Sequence, residues 1–224
     1  MTAHHNAAPR SMHGAGMLMT TSTAVRGALD VMARELGGPI VEMVVDGRQL
    51  FAAFEVDPIE HGRRLELGVG AVTSTGLLHG LWLLPAGGCV PACALPEVKR
   101  ARLRNAPHAV VERDSGFERT YAPPGVVRGV GFDGSNSAAT VGRAARFTPI
   151  VRRIALVHAS RGISGSAERS ARECGVGVVL VDDESARVAV PAVGPVPGVP
   201  SVYRWWIAEL AYERMLYETT QPVS

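Results

Sequence analysis

Lysine is almost missing from this chain. Lys and Arg together number 23 in 224 residues, and Lys99 is the only lysine. Any role that needs a compact ammonium rather than a planar guanidinium therefore falls to Lys99. Cysteine is scarce too: Cys89, Cys93 and Cys174 are too few, and odd in number, for a disulfide framework, and they fit a reducing compartment, so a cytoplasmic location is expected. Cys89 and Cys93 stand four apart with His79 nearby, but no fourth ligand at matching spacing completes a zinc site. Aromatic residues make up only 5%, so the core must be built mainly from aliphatic side chains. A net charge of +2 excludes a protein that coats nucleic acid nonspecifically. Residues 67–96 contain no Asp, Glu, Lys or Arg, but Gly residues and Pro85, Pro91 and Pro96 interrupt the stretch, which excludes a continuous membrane helix.

What remains is enough for one packed domain: 46% of residues are hydrophobic and spread along the chain. Residues 1–20 show no apolar periodicity and lack the long apolar core of a signal peptide, so they are read as a disordered tail. Residues 21–224 are read as a single α/β domain. Val25, Leu29, Met32 and Leu36 share one helical face, with Thr21, Ser22 or Thr23 as cap and Gly37-Gly38 as stop. A hairpin follows around Asp46-Gly47. Residues 58–76 give no clear helix, and LLHGLWLL at 77–84 reads as a buried strand. Residues 85–125, rich in Pro, read as an irregular insertion.

The last third has the clearest pattern. A strand is expected at 126–132, a helix at 136–147, a strand at 153–160, a helix at 164–174 closed by Gly175, and a strand at 177–183. Two apolar strands joined through a helix imply a parallel crossover. Residues 191–200 form a Pro/Gly connector to a final helix at 201–218. That helix carries Trp205 and Trp206, which point about 100° apart, so one suits the core and the other a dimer or protein-partner surface.

The hairpin places acids on paired strands: Glu42 on the first, Glu55 and Asp57 on the second. Carboxylates so placed can hold a divalent metal for phosphate chemistry; equally, they can be the solvent-facing positions of an alternating hairpin. The segment VEMVVDGRQLFAAFEVD, with the helix before it and the strand–helix–strand after it, resembles the restriction-endonuclease-like (PD-(D/E)XK) nuclease superfamily over about 24–60 and 135–190. Glu42 matches the usual Asp, Glu55 the Glu, and Asp57 stands where the family has Lys. The resemblance implies a mixed central sheet flanked by helices, nucleic acid as partner, and Mg²⁺ held by Glu42 and Glu55, with Asp57 as accessory ligand in phosphodiester cleavage. A noncatalytic relative acting as a binding or assembly subunit is the alternative.

Three further features carry chemistry. Lys99, Arg100, Arg102 and Arg104, with Arg143, Arg146, Arg152 and Arg153, are candidate phosphate contacts. Gly129-x-Gly131-x-x-Gly134 has the letters of a dinucleotide loop, which would require an open amide cradle at Gly131 to Ser135. His158 and Ser160 fall at the end of a parallel strand, where ligands of open α/β sheets bind.

Overall fold

The computed structural model describes residues 23–158, 162–182, 185–194 and 201–220. The expected tail, the capping candidates Thr21 and Ser22, the side chain of Val25, Ser160, Asp183 and positions 195–200 of the connector lie outside the described residues.

The chain opens with helix α1 (Thr23–Leu36), stopped at Gly37, whose amide bonds back to Ala33. Strands β1 (Ile40–Val45) and β2 (Arg48–Val56) form the expected antiparallel hairpin with Val45 opposite Arg48. Both turn residues are left-handed, Asp46 at φ 51° and Gly47 at φ 72°. This is the two-residue turn that matches strand twist, and Asp-Gly tolerates it best.

Helix α2 (Pro58–Glu66) follows at once, where no helix was expected. Its signals are local: Pro58 opens it, and the Asp57 carboxylate accepts from the amides of Ile59 (2.9 Å) and Glu60 (3.1 Å). Residues 75–82 are also helical, not a strand (α3, Thr75–Trp82). Ser74 caps this helix, and Leu78, Leu81 and Leu84 are buried together. A short apolar run has no period that separates strand from buried helix, and here the cap and the i, i+3 spacing prevail.

The segment 85–125 is not irregular. It holds β3 (Cys89–Val90), a short 3-10 turn (Ala92–Ala94), α4 (Glu97–Arg104), β4 (Val110–Arg113) and β5 (Gly116–Arg119), in a small antiparallel sheet ordered β3-β5-β4. With α3 and α4 this sheet encloses its own core, in which Leu78, Leu81, Leu103 and Phe117 are fully covered.

The remaining elements follow the expected pattern: β6 (Gly125–Gly134), α5 (Ser137–Arg146), β7 (Arg152–His158), α6 (Gly165–Cys174) and β8 (Val176–Val181). Strand β9 (Ala186–Val190) was not foreseen; α7 (Val202–Thr220) closes the described chain. The central sheet is mixed and six-stranded, ordered β1-β2-β6-β7-β8-β9. Strands β6, β7 and β8 are parallel; β2 and β9 run against their neighbours. Helix α1 covers one face, where Ala28, Met32 and Leu36 pack on Phe51, Ile154, Leu156 and Val179. Helices α5, α6 and α7 cover the other with Val141, Ala171 and Ile207. At about 1.5–3 kcal/mol for each large apolar side chain fully buried, these two faces carry most of the drive to fold.

Helix α7 is wedged between the two cores. Ile207, Ala208 and Ala211 face the central sheet, while Val202 and Trp205 belong to the inserted lobe. The junction contains a buried ionic cluster. Arg64 of α2 and Glu209 of α7 are both fully buried and joined by two 2.8 Å hydrogen bonds. Arg64 also donates to Glu60 (2.8 Å) and the Ala122 carbonyl (2.8 Å), and its guanidinium lies 3.9 Å from the Tyr121 ring centroid. Glu209 accepts in addition from the Trp205 indole and the Val72 amide, each at 2.8 Å. Every charge in the cluster is thus matched, as burial of charge requires.

Candidate functional site

The three hairpin acids are not brought together. Glu42 lies opposite Phe51, and Glu55 is four positions further along β2, about 13 Å away along the strand. Glu42 is exposed and accepts from the Gln49 amide (2.5 Å). Glu55 is exposed and paired with Arg128 on β6 (2.5 Å). Asp57 spends its carboxylate capping α2. A bulge in the pairing of β2 with β6 does fall between Ala53 and Phe54, but it does not close the gap. Among the described residues no group of three or more His, Cys, Asp or Glu side chains is placed to hold a metal ion. This donor set does not fit Mg²⁺.

The glycine triplet is not a loop. Gly129, Gly131 and Gly134 are residues of β6, and two of them admit α1 to the sheet. A Cβ on Gly129 would lie 2.4 Å from Leu36 Cδ2 and 3.0 Å from the Arg152 carbonyl oxygen; one on Gly131 would lie 2.3 Å from Met32 Sδ. Packing against α1 fills the space that an amide cradle would need.

The basic residues divide into two sets. On α4, Arg100 pairs with Glu97, Arg104 pairs with Glu112 (2.9 Å), and Arg102 sits against Gly76 of α3. Lys99 is half-buried on the same helix. Arg153 is buried and donates to the carbonyls of Ala145, Phe147 and Cys174. It therefore satisfies the ends of α5 and α6, where a cation also meets the negative pole of each helix. Burial lowers its pKa. Arg152 donates to the Glu35 carbonyl (3.0 Å) at the end of α1.

Arg143 and Arg146 are different. They lie on the face of α5 that borders a groove of about 510 Å³ between α5 and α7. Leu50 and Phe132 form its buried floor, and Phe147 and Trp206 are half-buried lining residues. Arg48, at the start of β2, completes a rim with Arg143 and Arg146. Among the described residues none of the three arginines has an ion-pair partner; Arg143 makes one long hydrogen bond to the Asp133 carbonyl (3.3 Å). One carboxylate, Asp46, shares the rim. Sequence reading found Arg143 and Arg146 but missed Arg48, because only the closed hairpin carries its turn to the same groove.

His158 ends β7 as expected, and its partner is Asp133 near the end of β6, with Nε2 2.7 Å from Oδ1. Both are partly exposed. Gly131 contacts α1 while Phe132 faces the other core, so alternation puts Asp133 on the α1 face. The His–Asp pair and the arginine groove therefore occupy opposite faces of the sheet. Register-diagonal strand ends make such a pair, and no linear motif would have indicated it.

Comparison of the chain with protein-family models, with curated proteins and with solved structures yields no match. Among the described residues no helix is long and apolar enough to cross a membrane.

Proposed function

We propose that this chain is a noncatalytic nucleic-acid-binding protein of the restriction-endonuclease-like fold, which grips the phosphodiester backbone rather than cutting it. The order of elements supports the fold: a helix, an antiparallel hairpin and parallel strand–helix–strand units on one sheet, with helices on both faces. One observation carries the function. Arg48, Arg143 and Arg146 line a single groove with no ion-pair partner among the described residues. An unpaired guanidinium presents a planar fork of donors that matches phosphate oxygens, and three of them line one groove. The modest net charge of +2 fits a local footprint in place of a coated surface.

The separated hairpin acids support the noncatalytic form. A metal-dependent cut requires carboxylates converging on one ion, and Glu42, Glu55 and Asp57 each have a different partner.

Binding of labelled single-stranded and duplex DNA and RNA, measured across a salt series, tests this. Each Arg→Gln change at 48, 143 or 146 should weaken binding and reduce the slope of log K against log salt by about 0.7 to 0.9. Arg100→Gln and Arg104→Gln, whose guanidiniums are already paired, should change neither. Mg²⁺-dependent cleavage lost in Glu55→Ala would refute the noncatalytic reading.

A further inference from the structure

We infer that the groove between α5 and α7 takes an unstacked base of a single strand, so that the protein selects single-stranded over duplex nucleic acid. The inference rests on the backbone-gripping reading above and adds what lies between the phosphates. A surface that only follows a duplex backbone needs a basic ridge and no depth. This groove instead has a volume of about 510 Å³, with Leu50 and Phe132 buried at its base. The Phe132 and Phe147 rings stand 5.6 Å apart, inclined at 58°, and Trp206 faces the same space. Both Phe147 and Trp206 are half-buried, so each retains exposed ring surface.

Apolar and aromatic surface at the base with unpaired cations around the rim matches an amphipathic anion: a flat, weakly polar ring joined to phosphates. Nucleobases stack on aromatic side chains whatever their identity, because each has a π face. A paired base has its faces covered by its neighbours and reaches such a groove only after unstacking, which a single strand does at little cost. Trp206 is fixed for the role: its indole N–H donates to the Thr73 carbonyl (3.2 Å). Asp46 on the rim is an acceptor within the groove's lining, suited to an exocyclic amine.

The full chain should be titrated with a fluorescent mixed-sequence single strand of about 12 nucleotides, the same strand as a duplex, and an unlabelled mononucleotide as competitor. Trp206→Phe and Phe147→Leu are compared with wild type, and thermal melts identify any variant that fails to fold. The expected result is single-strand binding roughly tenfold tighter than duplex, with quenching of tryptophan emission. Phe147→Leu should erase that preference while leaving the salt slope of duplex binding unchanged, whereas Arg143→Gln should weaken both substrates. If Phe147→Leu fails to fold, Trp206→Phe, which retains an aromatic face but removes the indole, should bind with the quench abolished. Duplex binding equal to or tighter than single-strand binding, unaffected at Phe147, would overturn the inference and leave the backbone-gripping reading standing. Competition by the mononucleotide at the oligonucleotide's own affinity would overturn it in favour of a small ligand. Absence of binding to either polymer would sink both.

Discussion

Arg64 and Glu209 are fully buried, 145 positions apart in sequence, and joined by two parallel hydrogen bonds of 2.8 Å. They fasten α2 to α7 where the inserted lobe meets the central sheet. Removing one partner leaves an uncompensated buried charge. Glu209→Leu or Arg64→Met should therefore cost about 3–5 kcal/mol in urea unfolding. The double variant should lose less than the sum of the two, since no charge is left stranded. Strict additivity would show that the pair does not act as a unit.

Glu60 gives this cluster a pH dependence. Burial raises the pKa of its carboxyl, but hydrogen bonds and charge from Arg63 and Arg64 outweigh burial and hold it below the usual carboxylate range. A depressed folded-state pKa means stability that is present above the unfolded value near 4.5 and lost as pH falls through the lower folded value. The stability difference between wild type and Glu60→Gln should be constant near neutrality and shrink below about pH 4.5. A difference unchanged down to pH 2 would contradict that assignment.

Tyr121 titrates in the opposite sense. Burial first, and the nearby Glu209 carboxylate second, push its phenol well above its ordinary value near 10. Its hydroxyl donates to the Gly70 carbonyl (2.8 Å), which also favours the protonated form. A raised folded-state pKa contributes stability that is fully present below pH 10 and lost as pH rises through the folded value. Tyrosinate absorbance should therefore show Tyr121 ionising only together with unfolding, and Tyr121→Phe should remove that delayed component.

Gly129 lies where Leu36 of α1 packs against the sheet. A methyl there would press on Leu36 Cδ2 and the Arg152 carbonyl, and the backbone oxygen cannot swing aside. Gly129→Ala should destabilise by about 1–3 kcal/mol in denaturant melts. An unchanged melt would mean that α1 is free to shift outward.

Glu55 and Arg128 form an exposed pair, with side chains 56% and 46% accessible. Such pairs contribute about 0–1 kcal/mol. Glu55→Ala should leave the melting temperature nearly unchanged, and millimolar Mg²⁺ should raise it in neither protein. A Mg²⁺-dependent rise seen only in wild type would restore Glu55 as a metal ligand.

Features set within a few residues were legible without the fold. Helix α1 was fixed by its apolar stripe and Gly37, the β1–β2 turn by Asp46-Gly47, and the end of α6 by Gly175. Apolar runs long enough to be buried on both faces marked β7 and β8. Helix α3 departs from the expected strand because a short, mostly apolar run carries no decisive period, and α2 departs from the expected irregular stretch because its start rests on a cap and a proline, Asp57-Pro58, with no long apolar stripe behind them.

The same two-residue turn sets Glu42 opposite Phe51, four positions from Glu55, so the separation of these acids follows from a local signal. The groove could not be read in this way. Arg48 joins Arg143 and Arg146 only because the start of β2 borders the groove on the face of the sheet that α5 covers, and Asp133 finds His158 only because parallel strands place their ends together. Caps, turns and periodicity act over a few residues through local hydrogen bonds and backbone sterics, so the sequence by itself determined the elements. Which side chains converge depends on contacts between segments far apart in sequence, which exist only once the sheet has formed, α7 has packed on it and Arg64 has joined α2 to α7 through Glu209.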